Sequence, residues 1–229
     1  MATQPQFITQ YRSSYVQYVN AGAPAQVAWQ AGPLGSRIHA IRASQDDTTT
    51  AAMSLYRGRI LTDNALPFPF AQRPVVGKPP ILAATKTTND HVDRTNGSFV
   101  QDGWVAGMMA AILDSTDNPQ NQVIAHVTTV VAATLTYTGS PLNATAATIG
   151  GAAILALVNI IDVVAMVSGA GNSAGVPNIA LFSTTSDVSL LTAPDTFITL
   201  GPYELLVINC GTLPAANKSI NLTVDGGDY

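Results

Sequence analysis

The residues with most reach for chemistry are three histidines, one cysteine and a single glutamate. His39, His91 and His126 lie far apart, and none has a Cys, Glu or second His at the spacing of a zinc site. Asn89-Asp-His91-Val-Asp93 gathers several oxygen ligands around one imidazole. Hard-cation sites collect more oxygens than this, so a solvated loop is the expectation and no metal is predicted. Glu204 stands without a second carboxylate nearby, and there is no Gly-x-Ser-x-Gly elbow, so neither paired-carboxylate nor serine-triad chemistry has local support. Gly169-x-Gly-x-x-x-Gly175 misses dinucleotide spacing by one residue and reads as a flexible loop. Cys210 is alone, which excludes an intrachain disulfide and predicts a buried, inert thiol. The expected protein is therefore not an enzyme and needs no cofactor.

Composition narrows the class. Charged residues make up 10% of the 229, against about 25% in an average soluble domain, while hydrophobic residues hold 47%. Thr, Ser, Asn, Gln, Ala and Gly fill the difference, which suits extended β structure partly covered by neighbours and does not suit a disordered tail. Residues 1–94 hold nine of the ten Lys and Arg against five Asp, a balance of +4; residues 95–229 hold one Lys and nine carboxylates, or −8. The cations are scattered rather than clustered, so nucleic acid is not an expected partner. A basic half meeting the acidic half of a neighbouring subunit is one use of this polarity; solvated faces are the other. The N-terminus has neither a basic n-region nor an apolar h-region, so no signal peptide is expected. Gly150 to Ser168 is apolar enough to raise a membrane span, but Asn159 and Asp162 sit near its middle and make insertion costly. Buried β segments are predicted there instead, and no membrane association.

The elements follow from patterning. Arg37 to Leu61 places two β-prone runs around the polar Ser44-Gln-Asp-Asp-Thr-Thr patch, which predicts a β-hairpin with a moderately long loop. Three consecutive threonines argue against helix there. Residues 1–35 read either as a peripheral strand plus loop or as an arm whose aromatic groups dock on a neighbour. Phe7, Tyr11, Tyr15, Tyr18 and Trp29 are the candidate contact residues, because Tyr and Trp are enriched at interfaces. Leu66 to Pro80 carries prolines that no central strand accepts, and reads as a linker or as an irregular loop along a sheet edge. Asp102-Gly103 marks a tight turn, and Phe99 with Trp104 can centre a small core walled by Ile124, Val127, Val131 and Leu135. After the Ala/Thr-rich stretch at 140–148, short β runs recur at Ile179, Phe197 and Leu205, with Gly201-Pro202 placed to turn the last two into a hairpin. Ser219 to Val224 alternates strictly as a half-buried strand, ending in Asp-Gly-Gly-Asp-Tyr as a turn or disordered tip.

The predicted fold class is all-β: a β-sandwich or jelly roll interrupted by a small barrel-like β module. The divisions are an N-terminal arm with peripheral strands (1–35), the first part of the sandwich (36–84), the inserted module (85–141) and the second part of the sandwich (142–229). Arg94-Thr-Asn-Gly-Ser-Phe99, Asp102-Gly-Trp104, Gly107-Met and the run Ile124 to Tyr137 resemble a small β module that recurs in tailed-phage virion proteins. Ala110-Ala-Ile-Leu departs from that family's alternating Thr/Val strand. The flanking Ile38 to Tyr56 segment, the Leu200-Gly-Pro-Tyr-Glu-Leu turn and the Gly-Gly-Asp-Tyr end are similar to phage capsid accessory proteins. The resemblance implies a decoration or cement protein on the capsid surface of a virion assembled in the host cytoplasm. Its implied partners are the major capsid protein or other virion proteins, with self-association as a homotrimer. A tail, baseplate or fibre component is the alternative within the virion; a carbohydrate-binding adhesion module, using Trp29 or Trp104 as a stacking platform, is the alternative outside it.

Overall fold

Alternating side chains and the near absence of charge leave the chain one economical way to hide its apolar residues, which is to stack sheets. A computed structural model describes residues 10–47, 51–59, 84–85, 89–94, 97–114, 121–142, 152–166, 179–183 and 198–229, and in these the protein is an all-β sandwich of two antiparallel sheets. The proline-rich passage, the 140–148 stretch beyond Leu142 and the Gly169–Gly175 loop lie outside the described residues.

The strands are β1 (Gln10–Val19), β2 (Ala25–Gln30), β3 (Ser36–Gln45), β4 (Ala51–Arg59), β5 (Ala84–Thr85), β6 (His91–Arg94) and β7 (Met109–Asp114), then β8 (Val123–Val130), β9 (Thr134–Tyr137), β10 (Ala152–Met166), β11 (Ile179–Ser183), β12 (Ile198–Leu200), β13 (Leu205–Cys210) and β14 (Ser219–Asp228). The first sheet runs β1-β14-β3-β11, with β12 also pairing β3; the second runs β2-β13-β4-β10-β7-β8-β9-β6-β5.

Two expected hairpins are absent. β3 and β4 belong to different sheets, as do β12 and β13, so the Asp46-Asp47 and Gly201-Pro202 connections are arches that carry the chain across the sandwich. The physical reason is that both edges of each strand are already taken. β3 pairs β14 on one side and β11 and β12 on the other, and β4 lies between β13 and β10. The polar arch residues then bond to a third segment. Asp47, only 4% exposed, accepts the Ala215 amide at 2.7 Å, and Asp46 accepts that of Ser219 at 2.6 Å.

Between the sheets lies a core built from alternate residues of seven strands, including Tyr18, Trp29, Ile41, Met53, Leu55, Ile208 and Leu222. The second sheet carries apolar residues on its other face too, with Tyr56, Ala111, Leu113, Leu157, Leu205 and Val207 forming another core. It curls far enough that the Ala25 amide donates to the Gln122 carbonyl at 2.9 Å, bringing β2 back beside the start of β8.

β10 is the strand on which everything joins. Ala152 to Leu157 pair with β7, and Ala156 to Met166 pair with β4, so this apolar run welds the 85–141 module to the sandwich. No helix among the described residues is long and apolar enough to cross a membrane. The module's core holds Phe99, Trp104, Ile112, Val127, Leu135 and Ile154. Val131 does not join it: at 50% exposed it sits in the β8–β9 turn and faces out, while Ile124 packs on the opposite face, against the Tyr56 cluster. The Ala110-Ala-Ile-Leu run is strand after all, and Gly103, at φ 91°, makes the turn expected of Asp-Gly. The C-terminal Asp-Gly-Gly-Asp is likewise strand, paired with β1 on one side and β3 on the other. A Cβ on Gly226 would press into the Arg37 carbonyl and the Trp29 ring, which is why a glycine stands where β14 shifts register.

Candidate functional site

Two arginines organise the polar groups of the molecule. Arg12 lies with its guanidinium 4.2 Å from the centre of the Trp29 ring and 3.2 Å from Asp228 Oδ1. That same carboxylate oxygen accepts the Gly32 amide at 3.2 Å and the Ser36 hydroxyl. Arg94 repeats the device: it lies 4.8 Å from the Phe99 ring centre and pairs with Asp102, both side chains nearly buried. Stacking and pairing together keep each guanidinium satisfied where water is scarce. Arg42–Asp225 at 2.5 Å and Arg57–Glu204 at 3.5 Å complete the pattern. The basic half of the sequence thus meets part of its acidic half within one chain.

The residues weighed for chemistry stay apart. His39 is on β3, His126 is exposed on β8, and Glu204 accepts the Gly201 amide at 2.8 Å inside a turn. His91 has Nδ1 3.0 Å from Asp90 and Nε2 3.4 Å from Asp93, whose other oxygen accepts the Thr134 hydroxyl at 2.6 Å. Among the described residues, no group of three His, Cys, Asp or Glu could hold a metal ion. Cys210 is buried and donates to the Thr212 carbonyl at 3.0 Å; burial pushes its thiol up to about 11. At neutral pH that thiol is protonated and poorly nucleophilic.

The five proposed contact residues separate into three groups. Phe7 lies outside the described residues. Tyr18 and Trp29 are core: Tyr18 is fully buried and donates to the Ile208 carbonyl at 2.7 Å, and Trp29 is 2% exposed. For Tyr18 the period of two along β1 dictates this, because even-numbered residues face the opposite sheet and odd-numbered ones face out. Trp104 is 3% exposed, so neither tryptophan offers a stacking platform. Tyr11 and Tyr15, by contrast, are 74% and 63% exposed on the outer face.

Around those two tyrosines the outer face of β1, β14 and β3 carries an ordered polar lattice. Tyr11 stacks on His39 with centroids 6.0 Å apart, and the Tyr15 hydroxyl and Gln17 Nε2 both donate to Asn221. Ser13 donates to Asp225 at 2.6 Å. A second uncovered patch lies at the module's turns, where Val100, Val105 and Val131 are each at least half exposed. Main-chain bonds from Phe99 to Ala132 and from Trp104 to Phe99 hold these turns together. This patch went unseen in the sequence, since an apolar residue in a β run reads as core. Comparison with protein-family models, with curated proteins and with solved structures finds no match.

Proposed function

We propose that the chain is a non-enzymatic structural protein of a tailed-phage virion, a capsid decoration or cement protein. It stabilises the head by multivalent contact with the major capsid protein and with copies of itself. The observation that carries this reading is the pair of uncovered surfaces on one continuous β body, the Tyr11–Tyr15 face and the Val100–Val105–Val131 tip. Two weak patches held at a fixed separation bind a repeating surface far more tightly than either alone, because the second contact forms at high effective concentration. Low charge serves the same end: a contact made by shape and apolar area carries little desolvation cost from ions. The motif residues Arg94, Phe99, Asp102 and Trp104, which carry the phage resemblance, brace the tip from below.

Particles assembled without the protein supply the test. Purified chain added back is expected to bind saturably, with occupancy following the symmetry of the shell, and to raise the temperature at which heads rupture. Val100→Asp with Val105→Asp is expected to weaken binding tenfold or more while leaving the chain folded. Density confined to the tail or baseplate would move the protein there, and no binding to any particle would end the virion reading.

A further inference from the structure

The edge of β1 is a second kind of surface, distinct from its face. In an antiparallel ladder, residues alternate between pairs that exchange hydrogen bonds and pairs whose N–H and C=O point away. Two bonds fix the phase on β1. The Gln17 carbonyl accepts Gln26 Nε2 at 2.9 Å, and the Val19 carbonyl accepts the Gly22 amide at 3.0 Å, both on the side away from β14. On β14 the Ser219 carbonyl, opposite Val19, accepts the Asp46 amide and so also points away from β1. The odd residues of β1 therefore turn their main chain outward. Gln17 and Val19 are capped as described; Tyr11, Ser13 and Tyr15 have no main-chain partner on that side among the described residues.

Among the described residues nothing along this edge defends it. β1 pairs β14 over ten residues without a register shift, contains no proline or lysine, and turns its one charge, Arg12, inward onto Trp29 and Asp228. Proteins that leave an edge uncovered usually blunt it with such devices. The segment is also self-complementary. Placed antiparallel to itself about Ser13, it sets Tyr11 opposite Tyr15 of the second copy, Ser13 opposite Ser13, and Tyr15 opposite Tyr11. Each pair has outward main-chain groups on both strands and can exchange two hydrogen bonds. The outward side chains are uncharged, so two copies meet without like-charge repulsion, and the aromatic pairs are of the type that favours cross-strand packing.

We infer that two copies of this chain join through β1, continuing the first sheet across a twofold axis at Ser13. The interface is isologous, so it closes as a dimer rather than growing as a fibre. This deepens the building-block reading and rests on it only in treating the chain as part of an assembly.

The experiment uses the full chain. Light scattering should give a mass near twice 23.8 kDa. Ser13→Pro, which removes an amide that the β14 ladder does not use, should return it to the monomer. Cysteine pairing reads the register independently of any proline effect. Ser13→Cys should form a disulfide-linked dimer under mild oxidation. Tyr11→Cys and Tyr15→Cys should each fail to do so alone, and should cross-link when mixed. A chain that stays monomeric at every concentration overturns the inference, as does cross-linking of Tyr11→Cys with itself, or a dimer in which Ser13→Cys never cross-links. A monomer that still coats particles would sink the edge pairing alone; a dimer that binds no particle would sink the virion reading alone.

Discussion

The two arginine clusters use the same three groups, a guanidinium, an aromatic ring and an aspartate, at very different sequence distances. In the module, Arg94, Phe99 and Asp102 lie within nine residues. In the sandwich, Arg12 reaches Asp228 across 216 positions. The strands repeat the contrast. β5 with β6, β7 with β8, and β8 with β9 pair as neighbours in the chain, whereas from β1 to β4 each strand crosses to the other sheet. One region is closed by local contacts and the other by its two ends meeting. The module can take shape early, while the sandwich must wait for β14 to find its slot between β1 and β3.

The largest expected effects test that difference at the arginines. Asp102→Ala takes the carboxylate away from a nearly buried guanidinium, and a loss of about 2–3 kcal/mol follows. Asp228→Ala leaves Arg12, whose side chain is 27% exposed, with access to water and its ring contact intact, so about 1–2 kcal/mol is expected from the lost bonds. Denaturant midpoints of the two variants check the order. Because β10 is common to both regions, each variant should still unfold in a single transition. Two separate transitions for Asp102→Ala would mean that the weld at Ala152–Leu157 does not couple them.

The same distances explain what could be read in advance. The module's core around Phe99 and Trp104 and its Asp-Gly turn were legible because cause and effect lie within a few residues. β-prone residue types correctly marked β3 and β4 as strands and alternation marked Ser219 to Val224, but neither signal says which strand lies alongside. The arches at Asp46-Asp47 and Gly201-Pro202 look like hairpin loops for that reason, and only the occupancy of both edges of β3 and β4 tells them apart. Tyr18 and Trp29 were misplaced by the same blindness: aromatic type suggested an interface, and the parity of β1 and the approach of Arg12 decided otherwise. Tyr11 and Tyr15 followed from the same parity in the other direction. The last four residues of β14 were hidden because Gly-Gly reads as a turn unless the Arg37 carbonyl it must clear is known.

Alkaline pH sharpens the comparison at intermediate magnitude. Cys210 belongs to the sandwich core, and burial raises its thiol from 9.0 to about 11. The folded state therefore keeps a proton that the unfolded chain gives up, and its contribution is complete below pH 9 and drains away as pH rises toward 11. Burial likewise raises Tyr18 and Tyr137 above 10.0, so their losses begin about one unit later. Between pH 9 and 10 the fall in stability should come from the sandwich, by about 1 kcal/mol per unit. Cys210→Ala should flatten the profile in that interval, although it lowers stability at neutral pH by creating a small cavity. A profile unchanged by the substitution would place the alkaline weakness elsewhere.

The smallest effect separates two buried tyrosines. Tyr18 in the sandwich core donates its hydroxyl to the Ile208 carbonyl, while the Tyr137 hydroxyl in the module core has no protein hydrogen-bond partner among the described residues. Deleting each oxygen as phenylalanine keeps the ring and its packing, so the difference isolates the hydroxyl. Tyr18→Phe strands a buried acceptor and should cost about 1–2 kcal/mol. Tyr137→Phe removes a buried polar atom from the module's apolar core, and should be neutral or stabilising by a few tenths of a kcal/mol. Thermal or denaturant unfolding of the two variants side by side checks the sign. If Tyr137→Phe proved as costly as Tyr18→Phe, its hydroxyl must bond inside the module, and the module's core would be a specified polar site rather than a packing of rings and branched chains.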